Sequence, residues 1–247
     1  MATPLNGSIV NGFAILSLFG EHRSEIDTAF VSKRLGMNNA TAHRNLATLE
    51  HTGALRRIRR GVFALGPELE RLGRLADRHN PVAKIIEPDL QALSSKLNES
   101  VMACRLSRHG PTCIAVANSN RPISVNIEVG TLLPFQRSAQ GKLWLAHMNA
   151  EERAKQLSSL EVSDATTTDL AELDGELLQI RKQGFAINLG DNEPDIAAIS
   201  IPVYDGDEEL ALTISVFGML SRFDESFIGK AKSELIATAG QIDPELL

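Results

Sequence analysis

The chain has 247 residues, a formal net charge of −6, 43% hydrophobic residues and only 4% aromatic residues. This length favours two compact domains, because single hydrophobic cores commonly stop growing at roughly 100–200 residues. No apolar run approaches the ~20 residues of a membrane-spanning helix, and the N-terminus lacks the order of a secretion signal, so we expect a cytoplasmic protein.

The charge is unevenly distributed along the chain. Residues 1–66 contain eight Lys and Arg residues against four Asp and Glu residues, a net +4, whereas residues 67–247 contain 17 basic and 27 acidic residues, a net −10. A basic segment on an otherwise acidic protein indicates a polyanion partner for that segment alone.

The first third of the chain has the pattern of a helix-turn-helix. Residues 8–20 predict a first helix, with a buried stripe at helical intervals formed by Ile9, Phe13, Leu16 and Phe19. A second helix is predicted to begin near Asp27 and end at Gly36, and a third to run from an N-cap at Asn39 to Gly53. Two helices joined by a short turn with a glycine are typical of this DNA-binding motif.

Two short strands are predicted next, at residues 54–58 and 62–65, which form a wing. The wing contains four arginines within RRIRR: Arg56, Arg57, Arg59 and Arg60. Strand alternation predicts that Arg57 and Arg59 share one face, so the four cannot all reach DNA. We expect Arg59 and Arg60, at the tip, to contact the phosphate backbone.

The third helix carries short polar side chains suited to reading bases in the major groove. The candidates for base and nearby phosphate contacts are Thr41, His43, Arg44 and Asn45. The alternative is a solvated, charged hairpin beside an ordinary three-helix core.

Residues 67–80 predict an amphipathic helix whose leucines, Leu69, Leu72 and Leu75, need a partner, and the same helix of a second copy is the candidate. Residues 81–247 predict an α+β domain, an antiparallel sheet with packed helices. Its first helix is expected to kink or restart at Pro88, SVNIEV (residues 124–129) is predicted to be a strand, and another helix opens at Ser138.

Several ordered motifs resemble the IclR family of bacterial transcription regulators. In the first domain these are SIVNGFAILSLF, VSKRLGMNNATAHRNLATLEHTGALRR and GVFALGPELERLG, and in the second LPFQRSAQGKLWLA, IRKQGFAIN and ISIPVYDGDEELALTISVFGMLSR. The resemblance implies a winged-helix domain over residues 1–66, a linker helix over 67–80 and a GAF-like effector-binding domain over 81–247. It also implies a homodimer or a dimer of dimers on a double-stranded DNA operator, and a small-molecule effector. No His/Cys cluster has the spacing of a zinc site, so we expect no metal and no cofactor.

The resemblance further implies an effector site where a helix N-terminus meets two strands. Its candidate residues are Met102, Ser138, Ala139, Gly141, Asp195, Ile196, Ser200, Ser215 and Phe217. Asp195 and Phe217 depart from the family pattern and favour a small, flat, partly polar effector, an aromatic or hydroxylated acid. Alternatively, Ser138 is only an N-cap, and Asp195 is an exposed turn acid at the rim of the pocket.

Other function classes have weaker support. The chain has no GxSxG, Walker, GxGxxG or HExxH motif, which argues against an enzyme. Cys104 and Cys113 are expected to be reduced thiols packed as small apolar groups. A DNA-binding protein that needs no ligand remains the main alternative to an effector-controlled regulator.

Overall fold

The computed structural model describes residues 5–20, 23–78, 81–160 and 170–247. The chain divides into two compact units, residues 1–80 and 81–247. Among the described residues, every helix is too short or too polar to cross a membrane.

The first unit combines helices with a small antiparallel sheet in the strand order β1-β3-β2. Its elements are α1 (Gly7–Leu16), β1 (Ile26–Asp27), α2 (Thr28–Leu35), α3 (Asn39–His51), β2 (Leu55–Arg59), β3 (Val62–Leu65) and α4 (Pro67–Arg78). The helix-turn-helix and the wing predicted from the sequence are both present. The two-residue strand β1 was not predicted, because so short a strand leaves no periodic pattern.

The turn between α2 and α3 is fixed by local hydrogen bonds. Gly36 ends α2 in the left-handed conformation, with φ of 65°, which glycine adopts without steric cost. The side chain of Asn38 then accepts a hydrogen bond from the Thr41 amide at 2.8 Å. The N-cap of α3 is therefore Asn38, and the prediction of Asn39 was wrong by one residue.

Helix α1 buries a different face from the predicted one. Ile9 and Phe13 are 61% and 66% exposed, whereas Ile15 is fully buried, and the helix ends at Leu16 rather than at residue 20. Apolar residues surround most of this helix, so periodicity alone does not select one face. Packing against α3 determines which face of α1 is buried, because Ile15 contacts the core around Leu46.

The second unit is built on a five-stranded antiparallel sheet in the order β5-β4-β8-β7-β6, which confirms the predicted α+β class. Its elements are α5 (Pro81–Leu97), β4 (Ser100–Ser107), β5 (Gly110–Ala117), α6 (Ala139–His147), α7 (Ala150–Leu160), α8 (Leu170–Gln183), β6 (Ala186–Leu189), β7 (Ile196–Tyr204), β8 (Leu210–Met219) and α9 (Glu225–Ala239). Helices α5 and α9 pack on one face, and α6 and α8 contribute to the apolar cluster on the other.

One prediction about this unit was wrong. Residues 124–129 form no strand, because the free edge of β5 is used by the segment after them: Gly130 donates to the Cys113 carbonyl at 2.8 Å, and Cys113 donates to the Thr131 carbonyl at 2.9 Å. Helix α5 continues through Pro88 without restarting, and whether it kinks there stays a prediction. Ile86 and Leu90, on either side of the proline, are fully buried, and their packing offsets the missing hydrogen bond.

Candidate DNA-binding surface and effector site

Helix α3 presents the predicted base-reading residues at its outer side. Ala42 and Leu46 are fully buried, so the helix turns its opposite face to solvent. His43 and Arg44 are exposed, and Thr41 is half-buried beside them. These three side chains form one accessible edge near the start of the helix.

Asn45 lies closer to the protein interior than the other three candidates. It is half-buried, and its Nδ2 is 4.0 Å from the Met37 sulfur, at the limit of a weak hydrogen bond. Its amide is therefore directed at the turn that precedes α3.

Two wing arginines are paired with acids of the same unit. Arg57 Nη2 lies 2.6 Å from Glu50 Oε2, and its guanidinium lies 5.5 Å from the centre of the Phe63 ring. Arg59 Nη2 lies 2.8 Å from Glu25 Oε2. All four charged side chains remain partly exposed, so each pair contributes only about 0–1 kcal/mol to stability.

The faces of the wing differ from the prediction because β2 contains a bulge. Arg57 is opposite Phe63 and Arg59 is opposite Val62, with the register shift between them. Since Val62 and Phe63 are adjacent on β3, they point to opposite faces, and so do Arg57 and Arg59. The prediction that these two arginines share a face was wrong.

Arg56 and Arg60 differ from their neighbours in having no acidic partner among the described residues. Both are exposed, and neither forms an ion pair with the residues that the structure describes. Gly61, with φ of 76°, completes the turn immediately after Arg60. Arg60 is thus the cation at the tip of the wing.

The second candidate site begins at the N-terminus of α6. Ser138 is the N-cap: its Oγ accepts from the Gly141 amide at 2.9 Å and donates to the Pro134 carbonyl at 2.6 Å. Ala139, Gln140 and Gly141 are buried behind it. The hydroxyl of Ser138 is therefore engaged in holding the helix start.

Three predicted effector residues lie side by side across the sheet beneath this helix. Met102 on β4 is opposite Ser215 on β8, which is opposite Ser200 on β7. The Ser215 hydroxyl lies 2.8 Å from that of Ser200, and both residues are fully buried. Phe217, in the next row of the same face, joins Met102 and Ala139 in one apolar cluster.

Two other predicted residues lie at the beginning of β7. Ile196 is half-buried opposite Met219. Asp195 is exposed, and its backbone carbonyl accepts a hydrogen bond from Leu220 at 2.8 Å. Of the two alternatives for Asp195, the structure shows the exposed turn acid.

Sequence reasoning missed two buried polar groups near this site. Gln140 Nε2 and Thr213 Oγ1 are shielded from solvent and have no hydrogen-bond partner among the described residues. Thr213 is two residues before Ser215 on β8, so it points to the same face. Strand alternation gave a signal for Thr213, whereas the burial of Gln140 depends on the packing of α6.

Lys142 has a structural role at the other side of α6. Its Nζ lies 2.7 Å from Glu176 on α8 and 2.8 Å from Asp191 after β6. Burial alone would lower the pKa of Lys142, but the hydrogen bonds to Asp191 and Glu176 outweigh it and raise the pKa. The ammonium therefore stays charged and ties three elements together.

Comparison with known protein families identifies both units. Residues 8–59 match the IclR helix-turn-helix domain, and residues 75–244 match the C-terminal domain of the bacterial transcriptional regulator IclR. This chain belongs to the IclR family. It is therefore a DNA-binding transcription regulator, and the family is one of regulators rather than enzymes, which confirms the prediction that it is not an enzyme.

Relatives of known sequence and structure span nearly the whole chain. The regulator KipR of Bacillus subtilis is 24% identical over 223 residues, 89% of each chain. An IclR-family regulator from Brucella abortus is 18% identical with a TM-score of 0.85 over 96% of this chain and 90% of that one. An IclR homologue from Microbacterium hydrocarbonoxydans, solved with 4-hydroxybenzoate, is 20% identical with a TM-score of 0.64 over 94% and 98%. These structural likenesses show the same fold.

Gly141 offers a test of how tightly the start of α6 is held. A Cβ at this position would overlap the backbone carbonyl oxygens of Pro134 and Phe135, whereas one at Gly175 on α8 would meet nothing within 4 Å. We expect Gly141→Ala to lower the free energy of unfolding by about 1–3 kcal/mol. Gly175→Ala should raise it by about 0.5–1 kcal/mol. Urea denaturation of both variants measures the difference, and equal effects would contradict the close packing.

Proposed function

We propose that residues 1–66 bind operator DNA and that residues 81–247 bind a small aromatic or hydroxylated organic acid that alters this binding, with residues 67–80 as the linker. The observation that best supports ligand control is the pair of polar groups on Gln140 and Thr213 that have no partner among the described residues, inside the mostly apolar interior beneath α6. Buried polar groups normally have a hydrogen-bond partner. An oxygen of a bound ligand would supply that partner here.

The proposed DNA contacts divide between α3 and the wing. Thr41, His43 and Arg44 form the exposed edge that enters the major groove, and Asn45 supports the turn or reaches one further base. Arg60, which has no ion pair with the described residues, is the wing cation most available to phosphate. To bind a phosphate, Arg59 would first have to break its exposed ion pair with Glu25. Breaking such a pair costs little free energy.

The contribution of the wing can be measured through the salt dependence of operator binding. Each phosphate neutralised by an arginine adds about 0.9 to the slope of log K against log salt concentration. We expect Arg60→Ala to reduce this slope by about 0.9, and Arg59→Ala with Arg60→Ala by up to about 1.8. Fluorescence anisotropy on a genomic fragment selected by the protein provides the measurement.

Arg57→Ala is the matched control for the wing. Its guanidinium is held against Glu50 and Phe63, so its removal should leave the slope nearly unchanged. If the double variant at positions 59 and 60 keeps the wild-type slope, the wing tip does not contact DNA.

The buried face beneath α6 combines polar groups with apolar surface. Ser200 and Ser215 offer hydroxyls, Gln140 offers an amide N–H, and Phe217 with Met102 offers a flat apolar wall. An aromatic or hydroxylated acid matches this mixture of donors and apolar surface. The Microbacterium homologue solved with 4-hydroxybenzoate supports this class as a candidate for the present chain.

A thermal-shift screen of the full-length protein tests this ligand class. We expect 4-hydroxybenzoate or a related hydroxy acid to raise the melting temperature and to change operator affinity, because a ligand that binds only the folded state stabilises it. Ser215→Ala should weaken that ligand about three- to tenfold by removing one hydrogen bond, while Ser233→Ala on exposed α9 should not. Stabilisation by sugars or nucleosides alone would overturn the assignment.

We propose further that α4 pairs with the same helix of a second copy. Leu72 is 47% exposed on this helix and Leu75 is 37% exposed, whereas the opposite face carries the exposed Arg74–Glu70 pair at 2.6 Å. An apolar stripe on a charged helix favours self-association. In such a dimer, the effector would act by shifting the population of linker arrangements and hence the spacing of the two recognition helices.

Substitution of Leu72 tests the linker pairing. Leu72→Asp places a charge in the apolar stripe, so we expect the dimer to dissociate at least about tenfold more readily, a cost of roughly 1.4 kcal/mol. Arg74→Ala, on the opposite face of α4, should leave assembly unchanged. Light scattering across a concentration series gives the result, and equal masses for Leu72→Asp and wild type would exclude this role.

A further inference from the structure

A cavity of about 340 Å³ lies at the C-terminal end of α6, between α7, α8 and the β7–β8 hairpin. Its lining includes Trp144 and His147 on α6, Arg181 on α8 and Tyr204 at the end of β7. None of the nine predicted effector residues lines it. Its volume is at the lower end of the ~300–1,000 Å³ typical of small-molecule sites, so it suits a ligand the size of one amino acid.

Two lining residues supply hydrogen-bond donors that no described residue uses. Trp144 is 7% exposed, and its indole Nε1 has no hydrogen-bond partner among the described residues. A buried indole N–H normally finds an acceptor. Arg181 is exposed and pairs with no acid in the part of the chain that the structure describes. A carboxylate is the acceptor to which the Arg181 guanidinium donates best.

His147 and Tyr204 form a neutral wall of the cavity. His147 Nδ1 lies 2.8 Å from the Leu143 carbonyl, which accepts a hydrogen only if Nδ1 is protonated. Its Nε2 then accepts a hydrogen bond from the Tyr204 hydroxyl at 2.8 Å. Burial lowers the pKa of His147 and raises the pKa of Tyr204, so both groups stay uncharged near neutral pH. The charge of the cavity therefore comes from the other lining residues.

The ionised lining groups carry a net negative charge. Glu152 on α7 and Glu208 and Glu209 in the hairpin oppose the single cation Arg181, a net −2 when all four are ionised. The rings of Trp144 and Tyr204 add faces that attract cations. A ligand with one carboxylate and two ammonium groups would match both the donors and the excess acids.

We propose that this cavity binds a cationic amino acid, with its carboxylate at Arg181 and its ammonium groups toward Glu152, Glu208 and Glu209. The ligand is recognised by charges of both signs at the two sides of a small cavity. This site is separate from the proposed effector site, and its test does not depend on DNA binding.

Isothermal titration calorimetry of the full-length protein tests the proposal by comparing its affinity for three matched compounds. L-lysine carries all three charged groups, cadaverine lacks the carboxylate and norleucine lacks the side-chain ammonium. We expect L-lysine to bind with the highest affinity and each analogue to bind at least about tenfold more weakly, since each loses a charge-assisted hydrogen bond. Equal binding of L-lysine and cadaverine, or no binding of L-lysine, would overturn the proposal.

Variants of exposed residues assign the two ends of the ligand. Arg181→Gln should weaken L-lysine at least about tenfold while leaving cadaverine unchanged, and Glu209→Gln should weaken both. Lys182→Gln and Asp207→Asn are the matched controls, because each is next to a lining residue but does not line the cavity. Melting curves of the free variants establish that they are folded. If the controls lower affinity as much as Arg181→Gln and Glu209→Gln, the binding is unspecific and the assignment is wrong.

Discussion

The ion pairs of Lys142 hold α6 in the position on which the second domain depends. They connect this helix to α8 through Glu176 and to the turn after β6 through Asp191. A buried ammonium is costly without such partners, so the helix can adopt this orientation only when both acidic elements are in place. Residues 139–145 are then buried on every side of α6. Because it is packed all round, the helix behaves as one rigid element.

The rigidity of α6 explains the different character of its two ends. At the N-terminus the Ser138 cap and the glycine at position 141 bring the backbone against Pro134 and Phe135. The interior there is apolar, with a few hydroxyl and amide groups. At the C-terminus the charged hairpin and α7 meet around Trp144 and His147. One helix thus separates a mostly apolar site from a charged cavity.

The sequence predicted elements best where local chemistry determines them. Helix α3, the wing, the Ser138 cap and the class of the second domain all follow from caps, glycines and periodicity. The predictions failed where tertiary packing decides, as in the exposed Ile9 and Phe13 of α1. They failed also at the edge of β5, where residues 130–133 rather than 124–129 use the free backbone groups.

In the candidate sites, too, the sequence predicts what local chemistry determines and not what tertiary packing determines. The identity of the basic residues on the wing could be read from the sequence, but their pairing could not, because Glu25 and Glu50 approach Arg59 and Arg57 only in the folded unit. The bulge in β2 reversed the expected facing of Arg57 and Arg59, and a one-residue insertion of this kind leaves no periodic signal. The burial of Gln140 was likewise visible only once α6 was placed on the sheet.

The two proposed ligand sites are linked by the helix that they share. A close-packed helix transmits displacement along its length rather than absorbing it, so a ligand that changes the position of one end of α6 changes the geometry at the other. Linkage then requires the two ligands to alter one another's affinity by the same factor. A ligand bound at the acidic hairpin would therefore change effector affinity without contacting the effector, because both proposed sites include the same helix.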